Sequence, residues 1–341
     1  MSFSRRAVLK GLAATSAAVL TSRYGTAADA KVIKISHQFP GGTIDSGDFR
    51  DRLVRRFAAE VEKRTAGSLK FEIYPGSSLM KTVAQFSALR KGALDMSLYP
   101  LAYAGGEVPE LNIGLMPCMV TSYEQGFAWK KAEIGRELLK LLDARGVKMV
   151  TWIWQAGGTA SRAAPVVEPN DVKGLKIRGG SREMDLMLKE AGGIISSVPS
   201  NEIYPAMQTG SLDAAVTSST SLISFRLEEI SKALTSGRGK SFWYMLEPLI
   251  MSKSVYDSLT PAQQKAISDV GHDLETFATS AARVDDEAVV AVYRKSGAKV
   301  ADMDQAVVER WRSIAETAAW TDFSKRNAEC ARFLKMAKAI A

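Results

Sequence analysis

Histidine and cysteine are nearly missing: His37, His272, Cys118 and Cys330 are all that 341 residues contain. No C-x-x-C or H-E-x-x-H run exists, so zinc or haem has almost nothing to be built on, and no metal or cofactor is expected. Cys118 and Cys330 could pair in an oxidising compartment or stay as buried thiols; both readings are open. The G-x-S-x-G turn of a serine nucleophile is absent, as is a G-x-G-x-x-G run after a strand. Gly179-Gly180-Ser181 precedes a helix and could receive an anion at its N-terminus, but it lacks the dinucleotide spacing. Carboxylates are plentiful, with 37 Asp and Glu, so an exported enzyme using an acid pair stays as an alternative. No block of Lys and Arg interleaves with aromatics, and nucleic acid is not an expected partner.

What is present begins at the N-terminus. Ser4-Arg5-Arg6-Ala7-Val8-Leu9-Lys10 matches a twin-arginine export signal, with Val8 where an aromatic or Leu is usual. The apolar stretch Gly11–Leu20 follows, and small residues at Thr26, Ala28 and Ala30 suit a signal peptidase cutting near 28–30. The stretch is too short and too rich in Ala, Ser and Thr for a spanning helix, which needs about 20 apolar residues. Residues 1–28 therefore read as a cleaved leader, and the mature chain as periplasmic. Arg5, Arg6, Lys10 and Arg23 carry half of the formal net charge of +8, so the mature chain is only mildly basic. Such a field suits an anionic ligand and equally an ordinary solvated surface.

The mature chain is long enough for two lobes. Val32–Ile35 is a short strand. Phe49, Leu53, Phe57 and Val61 mark one face of a helix over 48–65, and Leu69, Phe71 and Ile73 alternate as a second strand. Further strands are expected at Leu94–Leu98, along the apolar run Val147–Trp154, at Leu175–Arg178, at Ser196–Pro199 and at Ala214–Val216. Helices are expected over 181–191 and 200–209. From Pro261 the spacing turns helical, through Ala266, Ile267, Val270, Leu274 and Phe277 to about Arg294, and again from Gln305 to the end. The class is α/β with a helical C-terminal third. Ligands of open parallel sheets sit at the carboxyl ends of strands, here near Tyr99, Trp154, Arg178 and Thr217.

Four segments carry a family likeness. Pro169-Asn170-Asp171-Val172-Lys173-Gly174-Leu175-Lys176-Ile177-Arg178 resembles the P-x-D-L-K-G-L-K-I-R stretch of TRAP transporter substrate-binding proteins of the DctP type. Ser200 to Ala215 is similar to their S-E-x-Y-x-A-L-Q-x-G-x-x-D-G/A-A, Arg90 to Met96 to L-x-x-G-x-x-D-M, and Leu259 to Ala266 to L-x-P-x-x-Q-x-A. The resemblance implies a two-lobed clamshell of the type II-like periplasmic-binding-protein kind, with hinge strands and a long helix spanning both lobes. Residues 31–150 would form the first lobe with a return segment at about 235–260, 151–234 the second lobe, and 261–341 a helical region across both. It implies a monomer that binds a small organic acid and delivers it to TRAP membrane permease subunits. A ligand-sensing protein of a two-component system is the alternative with the same binding chemistry.

In that family the Arg ending K-G-L-K-I-R pairs with a ligand carboxylate, a role that falls on Arg178. A guanidinium offers parallel N–H donors matching two carboxylate oxygens and does not titrate near neutrality. Arg162 is a candidate second cation, but the chain departs from the family pattern here, reading Gly157-Gly158-Thr159 where many relatives carry an Arg, which counts against a second carboxylate-binding Arg. Thr217 and Ser218 offer hydroxyls, or simply a turn. Trp154 is either a ligand-facing ring or core. Tyr99, Trp243 and Tyr244 are candidate aromatic walls, Tyr204 lies inside the second motif, and His37 could reach the cleft from the first strand. One clear Arg among aromatics and hydroxyls favours a monocarboxylate over a dicarboxylate.

Overall fold

The computed structural model describes residues 30–340, so the expected leader lies outside the described residues. Two sheets organise the chain. The first has the order β2-β1-β3-β11-β4, from β1 (Lys31–Ser36), β2 (Leu69–Tyr74), β3 (Met96–Leu98), β4 (Val147–Met149) and β11 (Leu249–Ser252). The second has the order β12-β9-β5-β8-β6-β7, from β5 (Trp154–Ser161), β6 (Lys176–Arg178), β7 (Ile194–Ile195), β8 (Ala214–Ser218), β9 (Ala233–Ser236) and β12 (Lys299–Asp302); β10 (Tyr244–Leu246) pairs antiparallel to β5. Both sheets are mixed. β1 runs parallel to β2 and β3, whereas β11 is antiparallel to β3 and β4.

The chain crosses between lobes after β4 and again between β10 and β11. The return into the first lobe therefore falls at Glu247-Pro248, later than the expected 235, because β9 and β10 both belong to the second sheet. The expected strand Val147–Trp154 breaks into β4 and β5: Val150 N and Thr151 N both donate to Leu249 O where the chain leaves the first sheet. The extended pairing expected at Ser196–Pro199 falls instead at β7. The C-terminal third is also not wholly helical, since β12 pairs parallel with β9.

The first helix, Phe49–Arg64, buries Phe49, Leu53, Phe57 and Val61, and Asp48 caps it by accepting Arg50 N. The helix Pro261–Lys295 has 35 residues, a length of about 50 Å. Its start is locally specified by a Thr260/Gln263 capping box and Pro261 in the first turn. It packs on the helix Phe49–Arg64 in the first lobe and on β5, β9 and the helix Ser219–Ser224 in the second. The C-terminal helices tie down further: Trp311 Nε1 donates to Val167 O at 2.8 Å and Trp320 Nε1 to Pro117 O at 2.9 Å.

Candidate functional site

The seam between the lobes holds a buried cation that has no counter-ion among the described residues. Arg178, at the end of β6, is 2 % exposed. Its Nε donates to Val198 O at 3.0 Å, Nη1 to Val216 O at 2.7 Å and Nη2 to the Tyr103 hydroxyl at 2.7 Å. A guanidinium has five N–H donors, so one hydrogen on each Nη lacks a protein acceptor among the described residues. No described carboxylate forms an ion pair with it. Neighbouring Asp185 feels its charge, but its oxygens accept from Gly179 N at 2.9 Å and Ser197 Oγ at 2.5 Å. Burial raises the Asp185 pKa, with those hydrogen bonds and Arg178 opposing. Buried Arg is ordinarily paired, because an isolated charge in a poor solvent is costly.

Local sequence explains how the group is held. Gly180 has φ +97°, and a Cβ there would lie 2.7 Å from Arg178 Nη1, so the backbone turns against the guanidinium only with glycine. Trp243 Nε1 donates to Gly179 O at 3.2 Å. The Trp243 ring lies on Gly157, where a Cβ would meet it at 2.3 Å, so the glycines of β5 make room for the indole. Tyr103 reaches in from the first lobe, and its hydroxyl also accepts Ser200 N at 3.0 Å. Tyr99, stacked with Phe86 and edge-on to Tyr103, is fully buried with an unpartnered hydroxyl. Beside these residues opens a cavity of about 430 Å³, lined from the first lobe by Val83, Ala102 and Tyr103 and from the second by Gly180 to Arg182 and Ser197 to Pro199, among others.

A second polar cluster crosses the seam. Arg50 is 1 % exposed and holds Asp48 in a two-point pair, Nε–Oδ1 2.9 Å and Nη2–Oδ2 2.7 Å. It also donates to Ser218 Oγ, Ser221 Oγ and Glu247 Oε2 at 3.3, 3.0 and 3.3 Å, and stacks over Phe39 at 3.6 Å. Gln155 Nε2 donates to Glu247 as well. Two carboxylates thus share one guanidinium. Burial pushes Asp48 up, but the Arg50 charge and hydrogen bonds outweigh it and hold Asp48 below the usual range. Glu247, with the weaker share of Arg50 and Asp48 repelling it, is raised by burial to about 7. Gln38 on both side-chain atoms, His37 Nδ1, Gln155 Oε1 and Glu247 Oε1 are buried without partners.

The Glu247 shift carries a pH dependence. Between the ordinary carboxyl pKa and about 7 the folded state holds a proton that the unfolded state has released, so stability falls as pH rises across that window. Glu183, raised to about 7, and Asp286, raised to about 6, both by burial, act in the same direction. The melting temperature is expected to drop from pH 5 to pH 8, and Glu247→Gln to flatten part of that drop, on the order of 1–3 kcal/mol. An unchanged pH profile in Glu247→Gln would show that this carboxyl does not stay protonated.

Several expected contacts lie elsewhere. The Trp154 ring sits in the core, edge-on to Trp129 at 5.4 Å and against Gly126, because β5 is buried on both faces. Arg162 is at the far end of β5 on the surface, 4.0 Å from Asp213 and 41 % exposed. Tyr204 is on the outer side of the second lobe, donating to Glu229 at 3.1 Å. Tyr244 packs edge-on to Tyr123. Thr217 is buried in β8 opposite Gly158, and Ser218 caps the helix Ser219–Ser224 while accepting from Arg50. His37 contacts Asp51 at 3.2 Å. Cys118 and Cys330 are both buried free thiols, their pKa values raised by burial, Cys330 to about 12. Sequence reading passed over Tyr103, Arg50, Asp48, Gln155, Gln38 and Glu247. The one local signal was a charged Asp48-x-Arg50-Asp51 cluster opening an otherwise apolar-faced helix.

Comparison with known proteins bears on this arrangement. The profile of the bacterial extracellular solute-binding proteins, family 7 (DctP), matches residues 45–326. A solute-binding protein of Albidiferax ferrireducens is 61 % identical over 311 residues, 91 % of this chain and 92 % of the relative. The crystal structure of a TRAP periplasmic solute binding protein from Rhodoferax ferrireducens with bound malonate matches with a TM-score of 0.89 at 61 % identity, over 90 % of this chain and 98 % of that one. The C4-dicarboxylate-binding periplasmic protein DctP of Rhodobacter capsulatus is 25 % identical over 86 % of each chain.

Proposed function

The chain belongs to family 7 of the bacterial extracellular solute-binding proteins, and from that premise we propose that it captures a small organic acid between its lobes and passes it to a TRAP membrane permease. The Arg178 guanidinium pairs with the ligand carboxylate, closure of the seam removes water from the pair, and the acid is released unchanged. The observation that carries this reading is the buried guanidinium with no carboxylate partner among the described residues. Lower local dielectric strengthens such a pair once the lobes shut. The malonate held by the Rhodoferax ferrireducens relative supports a small carboxylate as the ligand. A thermal-shift screen of organic acids on the mature protein tests the reading: an acid at 100 times its dissociation constant stabilises by about 2.7 kcal/mol. If no organic acid shifts the transition, the reading fails.

The protein works outside the cytoplasmic membrane, reached by the twin-arginine route. No helix among the described residues is long and apolar enough to cross a membrane. Replacing Arg5 and Arg6 by Lys is expected to leave the precursor in the cytoplasm, read by fractionation and immunoblot. Normal accumulation outside the inner membrane would contradict export by that route.

A further inference from the structure

Resting on the carboxylate-binding reading, we propose that the Tyr103 hydroxyl stands in for a ligand carboxylate oxygen, and that the cavity beside it holds the apolar body of a monocarboxylate. Two donors of the second lobe, Arg178 Nη2 at 2.7 Å and Ser200 N at 3.0 Å, converge on this one neutral oxygen of the first lobe. A carboxylate oxygen in its place makes both bonds charge-assisted, roughly twice as strong as neutral ones. The exchange also gives the buried guanidinium its missing counter-ion.

The surroundings say what the rest of the ligand is. Tyr103, Gly180 and Val198, three of the residues packed around the guanidinium, all line the 430 Å³ cavity. Much of the remaining lining is apolar: Val83, Ala102, Leu186, Ile195 and Pro199. Of the two cations on the lining, only Arg182 is already paired with carboxylates. Arg182 is engaged with Asp322 and Glu183, and Lys189 is exposed to solvent. Asp185 faces the same space from the Gly179 side and repels a second carboxylate. A chain of a few carbons fits this volume and chemistry, and a short dianion does not exploit it.

The test is calorimetric titration of the mature protein with propionate, hexanoate and malonate. Each buried methylene is worth roughly three- to fourfold in affinity, so hexanoate is expected to bind about ten- to fiftyfold tighter than propionate, the lower figure allowing for a cavity partly open to water. Leu186→Gln is expected to remove most of that gain while leaving propionate within about twofold. Tyr103→Phe removes the competing oxygen and is expected to tighten hexanoate about fivefold, while lowering the melting temperature of the unliganded protein. Hexanoate binding no better than propionate overturns the proposal, as does weaker hexanoate binding in a folded Tyr103→Phe. In either case malonate binding that is lost in Arg178→Ala leaves the carboxylate reading standing. If none of the three acids binds in an Arg178-dependent way, that reading falls with it.

Discussion

Arg178→Ala is expected to weaken the best-binding organic acid by about thirtyfold to several thousandfold. The figure follows from truncating one partner of a buried, hydrogen-bonded charge pair, roughly 2–5 kcal/mol at 1.4 kcal/mol per decade. Arg178→Lys keeps the charge but loses the planar fork, and should fall between wild type and Ala. Val198 O, Val216 O and the Tyr103 hydroxyl all accept from Arg178, so the Ala variant also leaves buried acceptors without a donor. Its unliganded form is therefore expected to melt lower than wild type, by the equivalent of roughly 1–3 kcal/mol. Titrations are to be run below that transition. Binding within threefold of wild type in folded Arg178→Ala removes this residue from the site.

The largest loss of stability is expected from Arg50→Ala. Removing this side chain leaves Asp48 and Glu247 facing each other in a buried space with no cation, and deletes the bonds to Ser218 and Ser221 that tie the lobes together. Breaking a buried pair from one side costs about 3–5 kcal/mol. For a chain of this size that is a fall of roughly 5–8 °C in melting temperature. Arg50→Ala combined with Asp48→Asn should recover part of the loss, because the carboxyl that Arg50 holds below the usual range is then removed. A single variant melting within 1 °C of wild type would show that the cluster adds nothing to the fold.

The parts of this architecture with local causes were legible in the sequence. The helix Pro261–Lys295 announces its start through Thr260, Pro261 and Gln263 and its buried face through helical spacing. Arg178 was singled out only through the family likeness of the Lys173–Arg178 motif, and its burial at the seam comes from the fold. Strand β12 was not, because its four residues have no alternating burial and exist as a strand only through pairing with β9. Trp154 could not be placed by periodicity, since a strand buried on both faces has no polar side to set the phase. Tyr103 and Arg50 were illegible for a related reason. Tyr103 meets Arg178 across 75 residues, and Arg50 meets Ser218 across 168, so their burial comes from the docking of the other lobe. A charged residue on an amphipathic helix reads as solvated until that second surface is in place.

The most direct measurement is a crystal structure of the mature protein with the tightest-binding acid from the screen. The expected result is a ligand carboxylate between the lobes, with an oxygen within about 3 Å of an Arg178 Nη atom and water excluded from the pair. An acid bound elsewhere, with the Arg178 guanidinium still held only by Val198, Val216 and Tyr103, would contradict the account.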